Sequence, residues 1–267
     1  MKKLALFSIL LLTALLLQAQ PVHLKHALHA YYDFSGSAND LSGNGLNGTI
    51  EEAALTHDRY GSENHAFEFT DNGSNISLPV KFPAGSFTVA FWFKRYAGRD
   101  ITTFLGWKQG NNGLRFATNN EFVCLWNGND DHFQRRLAMG IKDNYWHHLA
   151  LSVKDGNASL YVDGKLENKD IAINHQPFQK LILGTMERTH RFKGKMDDLF
   201  IYKRNLNHRE VKALFHNQFD YEPATSAYAI TAQSDVDKNI PEADQTNDNI
   251  FALIIGNENY SDYNENT

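Results

Sequence analysis

The chain has 267 residues and a formal net charge of −5, from 31 acidic and 26 basic side chains. Basic residues such as Lys193, Lys195, Lys203 and Arg204 alternate with apolar ones and make no continuous stripe, which excludes a general binder of nucleic acid or of acidic membranes. An apolar fraction of 42% supports a sizeable core, and 12% aromatics with 18 Gly and 6 Pro suit strands and turns better than a helical bundle.

At the start of the chain, Lys2 and Lys3 precede an apolar run from Leu4 to Leu17, closed by Gln18-Ala19-Gln20. Charge, apolar core and small-residue exit make residues 1–20 read as a secretory signal peptide. The mature chain is therefore expected outside the cytoplasm: secreted, periplasmic or on the cell surface. The run is short for a membrane span, and no other stretch approaches twenty apolar residues. The single thiol, Cys124 in "EFVCLW", has no internal disulfide partner and reads as a small core residue on a strand.

From Ala27 the chain breaks into strand-sized pieces separated by Gly, Asn and Asp. In "SFTVAFWFKRY", Phe87, Val89, Phe91 and Phe93 alternate with Thr88, Ala90, Trp92 and Lys94. Period two over that length predicts a strand with one dry face. "HHLALSV", "SLYVDG" and "LILGT" continue the pattern, and the Asp-Gly pairs of "KDGN" and "DGK" predict tight hairpins. Only "NHREVKALFHNQF" has helical spacing, with Val211, Leu214 and Phe215 on one stripe and Asn207 as N-cap. The whole reads as all-β: a two-sheet antiparallel jelly-roll sandwich with one late helix.

Several side chains carry chemistry. Trp146 is expected as a core plug and His148 as a hydrogen-bonded strand residue; His147 and His148 are adjacent, so they point to opposite faces and cannot share one ion. Asp197 and Asp198 in "MDDLFIY" would repel unless a cation, donors or water compensated them. Trp92, Trp107 and Trp126 are candidate platforms for pyranose rings. A glucan hydrolase needs acids alternating along one strand, whereas "EFVCLW" offers a single Glu121 and "MDDLF" adjacent acids. No catalytic residue is assigned.

In order along the chain, "YYDFSGSANDLSGNGLNGT", "SFTVAFWFK", "WHHLALSVKDGNASLYVDGKL" and "FKGKMDDLFIYKRNLNHREVKALF" resemble the laminin-G-like jelly-roll domains of the concanavalin A-like lectin/glucanase superfamily. The resemblance covers residues 27–216 of a domain bounded at 21–219. It implies a structural calcium ion between the end of the first strand and the start of the last, with Asp33 and Asp197 as ligands and Asp198 in reserve. It also implies a non-catalytic binding or adhesion module, its partner a glycan or a cell-surface or extracellular protein. A glycoside hydrolase of the same superfamily is the alternative.

Residues 220–249 are polar, acidic and aperiodic, as an interdomain linker would be. "FALIIGNENY" then resembles the first strand and turn of caspase-like cysteine peptidases. On that resemblance residues 250–267 begin an incomplete peptidase domain, and the chain is the front of a longer caspase-like endopeptidase. No His or Cys follows His216, so this chain is expected to lack the catalytic dyad.

Overall fold

The structure, a computed structural model, describes residues 24–219 apart from stretches at 71, 82–84, 98–100, 110–111, 120–121, 128–132, 139, 174–179 and 186–189. The signal-peptide stretch 1–20, the linker 220–249 and the caspase-like segment 250–267 lie outside the described residues.

The alternating runs pair into two sheets. In spatial order the first contains β13 (Lys165–Ala172), β12 (Asn157–Val162), β11 (Trp146–Lys154), β6 (Phe87–Arg95), β15 (Gly194–Tyr202), β4 (Ala66–Phe69) and β3 (Ala54–Thr56), with β1 (Leu28–Tyr32) also on β15. The second runs β10 (Phe133–Ala138), β9 (Phe122–Asn127), β8 (Asn112–Asn119), β7 (Thr102–Gln109), β14 (Leu181–Leu183), β5 (Asn75–Leu78) and β2 (Thr49–Glu51). Every ladder between these strands is antiparallel. This is the expected jelly-roll sandwich.

Both Asp-Gly hairpins form as read. Lys154 pairs with Asn157 and Val162 with Lys165, leaving two-residue turns. Asp155 and Gly156 have φ of 48° and 79°, Asp163 and Gly164 of 49° and 73°. Positive φ at both central residues matches the twist of the flanking strands, and Asp and Gly tolerate it.

β6 departs from the expectation of one dry face. Val89, Phe91 and Phe93 join the core between the sheets, as the alternation predicts. Ala90, on the opposite face, joins a second cluster with Phe200, Tyr202, Val211 and Leu214, because helix α1 (His208–Phe215) covers that outer face. Thr88 is buried there as well, its hydroxyl donating to Arg204 O and accepting from Leu206 N–H. Trp146 is half-buried at the end of β11 and does not plug the core as expected; the inner face at that level is filled by His147 against Phe93.

The late helix starts where the sequence puts it. Asn207 accepts from the N–H groups of Arg209 and Glu210, and Glu210 reaches back to Asn207 N–H, closing a capping box. Val211 and Leu214 are buried against the sheet. Asn207→Ala is expected to cost about 1 kcal/mol in chemical denaturation, the usual loss when a capping side chain is removed.

Candidate functional site

The site begins with an irregularity in β15. Its first half, Gly194–Met196, pairs with β4; its second half, Leu199–Tyr202, pairs with β1. At the change of partner the register against β6 shifts between Asp197 and Phe200, and Asp198 adopts φ of 41°. That left-handed residue makes a bulge. Adjacent strand residues ordinarily face opposite ways; here both carboxylates meet on the outer face, beside the fork between β1 and β4.

Arg59 fills that fork. It comes from the loop between β3 and β4, and its two terminal nitrogens donate separately, Nη1 to Asp197 Oδ2 at 2.5 Å and Nη2 to Asp198 Oδ2 at 2.6 Å. The remaining oxygens are also taken: Asp198 N–H donates to Asp197 Oδ1 at 2.8 Å, and the Tyr31 hydroxyl donates to Asp198 Oδ1 at 3.0 Å. The guanidinium lies over the rings of Trp92 and Tyr60, 4.7 and 4.5 Å from their centroids. Only 7%, 4% and 12% of the Arg59, Asp197 and Asp198 side chains is exposed, so this is a buried ion-pair network.

The charge count is uneven, and the titration behaviour follows from it. Burial and the Asp198 charge push Asp197 up to about 8, against the pull of Arg59. Burial likewise pushes Asp198 up, opposed by Arg59 and the Tyr31 hydroxyl. Burial, then the Asp198 charge, raises the Tyr31 phenol and keeps it a neutral donor. Two carboxylates facing one cation away from water retain a proton more readily than free ones do.

Beside the cluster lies a depression of about 220 Å³, whose lining includes Tyr31, Asp33, Asp58, Tyr60, Asn217 and Phe219. A second, of about 510 Å³, shares Tyr31, Asp33 and Phe219 and continues past Leu28, Leu41 and Ser42. Tyr31 stacks on Phe200 at 4.3 Å and meets Phe219 at 4.9 Å. Tyr60 is 66% exposed at the rim.

The fold thus brings Asp33, Asp197 and Asp198 to one depression. Their donor set does not fit the calcium ion expected there while Arg59 is in place. All four oxygens of Asp197 and Asp198 already accept, and Asp33 Oδ1 accepts from Ser35 N–H at 3.0 Å. In the glycine-rich loop, hydrogen bonds converge on one carboxylate. Asp40 accepts from the N–H groups of Tyr31, Ser42 and Leu46 and from the Ser42 hydroxyl. Burial works against its charge, but these bonds outweigh it and hold its carboxyl below the usual range. Among the described residues no group of three or more His, Cys, Asp or Glu side chains forms a metal cluster.

Trp92 is not an open sugar platform. Phe215 stacks on it at 5.4 Å and 19°, and Arg59 lies over it. Trp107 pairs with Leu114 and Trp126 with Arg115 in the second sheet; their side chains, like that of Cys124, lie outside the described residues. His147 and His148 do face opposite ways. His147 Nδ1–H donates to Asp163 Oδ2 at 2.9 Å and its Nε2 accepts from Lys142 N–H at 3.1 Å. Asp163 is more than turn chemistry: it holds that ring and, through Oδ1, the backbone N–H of His148. Burial would raise the Asp163 carboxyl, but these bonds outweigh it and lower it. The expected hydrogen bonds of the His148 ring are absent; among the described residues neither nitrogen has a partner, because helix α1 closes over it.

The described residues thus form a two-sheet jelly roll with a crevice beside the Arg59 cluster. A laminin-G family model, described as the concanavalin A-like lectin/glucanases superfamily, matches residues 70–212. The match covers more than half of the chain, which belongs to that superfamily. None of the curated proteins matches it significantly. Among solved structures, domain 4 of AbnA, a GH43 extracellular arabinanase from Geobacillus stearothermophilus solved with arabinotriose, is 25% identical. That match covers 70% of this chain and 97% of that one, with a TM-score of 0.58. The binding domain of Paraclostridial Mosquitocidal Protein 1 is 21% identical (TM-score 0.59, 74% of this chain and 54% of that one). The receptor-binding domain of botulinum neurotoxin C/D mosaic serotype is 13% identical (TM-score 0.60, 73% and 52%). The chain spans about half the length of these two toxin domains, which share its fold. No helix among the described residues is long and apolar enough to cross a membrane.

Proposed function

We propose that this chain is an exported, non-catalytic module that binds neutral carbohydrate. The observation that carries the reading is its likeness, over nearly the whole of the arabinanase domain, to a domain solved with arabinotriose. The crevice supports it. An exposed tyrosine ring beside carboxylate acceptors offers a sugar an apolar face and partners for its hydroxyls. Asp33 and Asp58, outside the Arg59 ion-pair network, disfavour anionic glycans there. Export is supported by the signal-like pattern of residues 1–20.

Titration calorimetry against neutral arabino-, xylo- and gluco-oligosaccharides is expected to find a binder. Tyr60→Ala should weaken it about tenfold, the order of a lost ring contact. Binding to an extracellular protein without any glycan would replace this reading with adhesion. Release of reducing ends would make the module a glycoside hydrolase.

We also infer, from the run Ala252-Leu253-Ile254-Ile255-Gly256 alone, that the module stands ahead of a caspase-like cysteine peptidase domain. The reading frame beyond Thr267 should then supply a His-Gly and, further on, a Cys; a frame without them removes this second reading.

A further inference from the structure

His148 lies in the middle of the first sheet, on β11, with its side chain facing the helix. It is 0% exposed. Trp92 from β6 meets the imidazole at 5.3 Å, and Phe215, the last residue of α1, at 6.0 Å and 60°. Among the described residues both ring nitrogens lack a partner, in contrast to the doubly bonded His147 beside it.

The surroundings accept this ring only without charge. From the turn between β12 and β13, Asp163 spends Oδ1 on the His148 backbone and Oδ2 on His147. Arg59, from the loop between β3 and β4, is itself a cation, with Asp197 and Asp198 as its partners. The helix contributes Phe215, with His216 next to it at 5.0 Å. A protonated imidazole would hold two unanswered N–H groups beside a guanidinium.

We propose that His148 makes α1 an acid-released latch: on acidification the helix lifts from the sheet, because the imidazole can gain its proton only once Phe215 has left. Burial pushes His148 down to about 3; Asp163 opposes the shift and Arg59 adds to it. In the opened form the ring meets water and takes a proton at an ordinary pH for histidine. The helix is the element to move, since β11 is locked between β6 and β12, whereas α1 is eight residues long and rests on one face.

The release has a consequence for the crevice. The chain leaves α1 through Asn217, whose N–H bonds Leu214 O, and reaches Phe219, packed on Tyr31 and Phe200. Asn217 and Phe219 both line the depression beside Arg59. Opening the latch therefore removes one wall of it. The latch does not depend on what the crevice binds.

Amide exchange of the full chain, corrected for the intrinsic rate and followed at Val211–Phe215, tests this. From about pH 6.5 down to about 5, the opening of α1 should rise about tenfold per pH unit, the signature of one proton taken up on opening. The amides of β6 and β11 should not follow. His148→Phe should flatten the α1 response; His148→Gln, which cannot be protonated, serves where the phenyl ring disturbs packing. Three results would overturn the latch: an α1 response absent in the wild-type chain, one unchanged in a folded His148 variant, or one shared by the whole sheet.

Discussion

Arg59→Met is expected to lower the unfolding free energy at about pH 7 by about 3–5 kcal/mol, the cost of stripping one partner from a buried ion pair. The carboxylates of Asp197 and Asp198, 4% and 12% exposed, would lose both charged donors and retain only a backbone N–H and a tyrosine hydroxyl. Methionine keeps much of the apolar stem over Trp92, so the loss reads on charge more than on packing. Neutralising the acids as well, with Asp197→Asn and Asp198→Asn, should recover a large part of it, since an uncharged cluster has no unanswered ion. Calcium should leave the wild-type melting midpoint unmoved and raise that of Arg59→Met, where two vacated oxygens accept it by mass action. Urea melts that differ by less than about 1 kcal/mol would reduce the network to an ordinary surface pair. A wild-type midpoint that falls on chelation would restore calcium to the site.

The parts of the fold that were legible are those set by neighbours in sequence. Period-two alternation at Phe87–Lys94, the Asp-Gly turns and the Asn207 cap are local chemistry, and each appears where the pattern places it. The charge problem at Asp197 and Asp198 was legible too, but its solution was not. Arg59 lies 138 residues away from Asp197, in a loop without periodicity, and nothing in the sequence around it marks it as the counter-ion. The bulge escaped for a related reason. "MDDLFIY" reads as a regular strand, and only the change of partner from β4 to β1 turns both acids to one side. Alternation put Trp92 on the face opposite Phe91 and Phe93, and His147 and His148 on opposite faces, correctly. Whether that face meets water or a helix is a tertiary fact, so Trp92 looked like a platform and His148 like a bonded residue.

Asp198→Asn is expected to abolish a loss of stability that the wild-type chain suffers as pH rises toward 8. In the folded chain burial raises both carboxyls, and the Asp198 charge helps bring Asp197 to about 8; in the unfolded chain both titrate in the ordinary range near 4. Between those limits the folded state binds more protons than the unfolded one. The stability this confers is complete below about pH 4 and is lost as pH rises through about 8, by up to about 1.4 kcal/mol per pH unit. The hydrogen bonds say where the retained proton sits. Both oxygens of Asp197 accept from donors that cannot turn round, the Arg59 guanidinium and the Asp198 backbone. Asp198 Oδ1 faces the Tyr31 hydroxyl, which can reverse and accept. An asparagine at 198 reproduces that protonated form: its amide N–H₂ faces Tyr31, its oxygen faces Arg59, and it tolerates the left-handed backbone at φ 41°. His148 takes up protons in the unfolded chain near pH 6.5 and not in the folded one, but it does so equally in both chains, so its slope cancels in the comparison. Denaturation of both chains between about pH 6.5 and 8 should therefore show the wild type falling behind the variant by about 1–2 kcal/mol. Parallel curves across that range would mean that the pair is fully ionised beside Arg59, and that one guanidinium suffices for two buried acids.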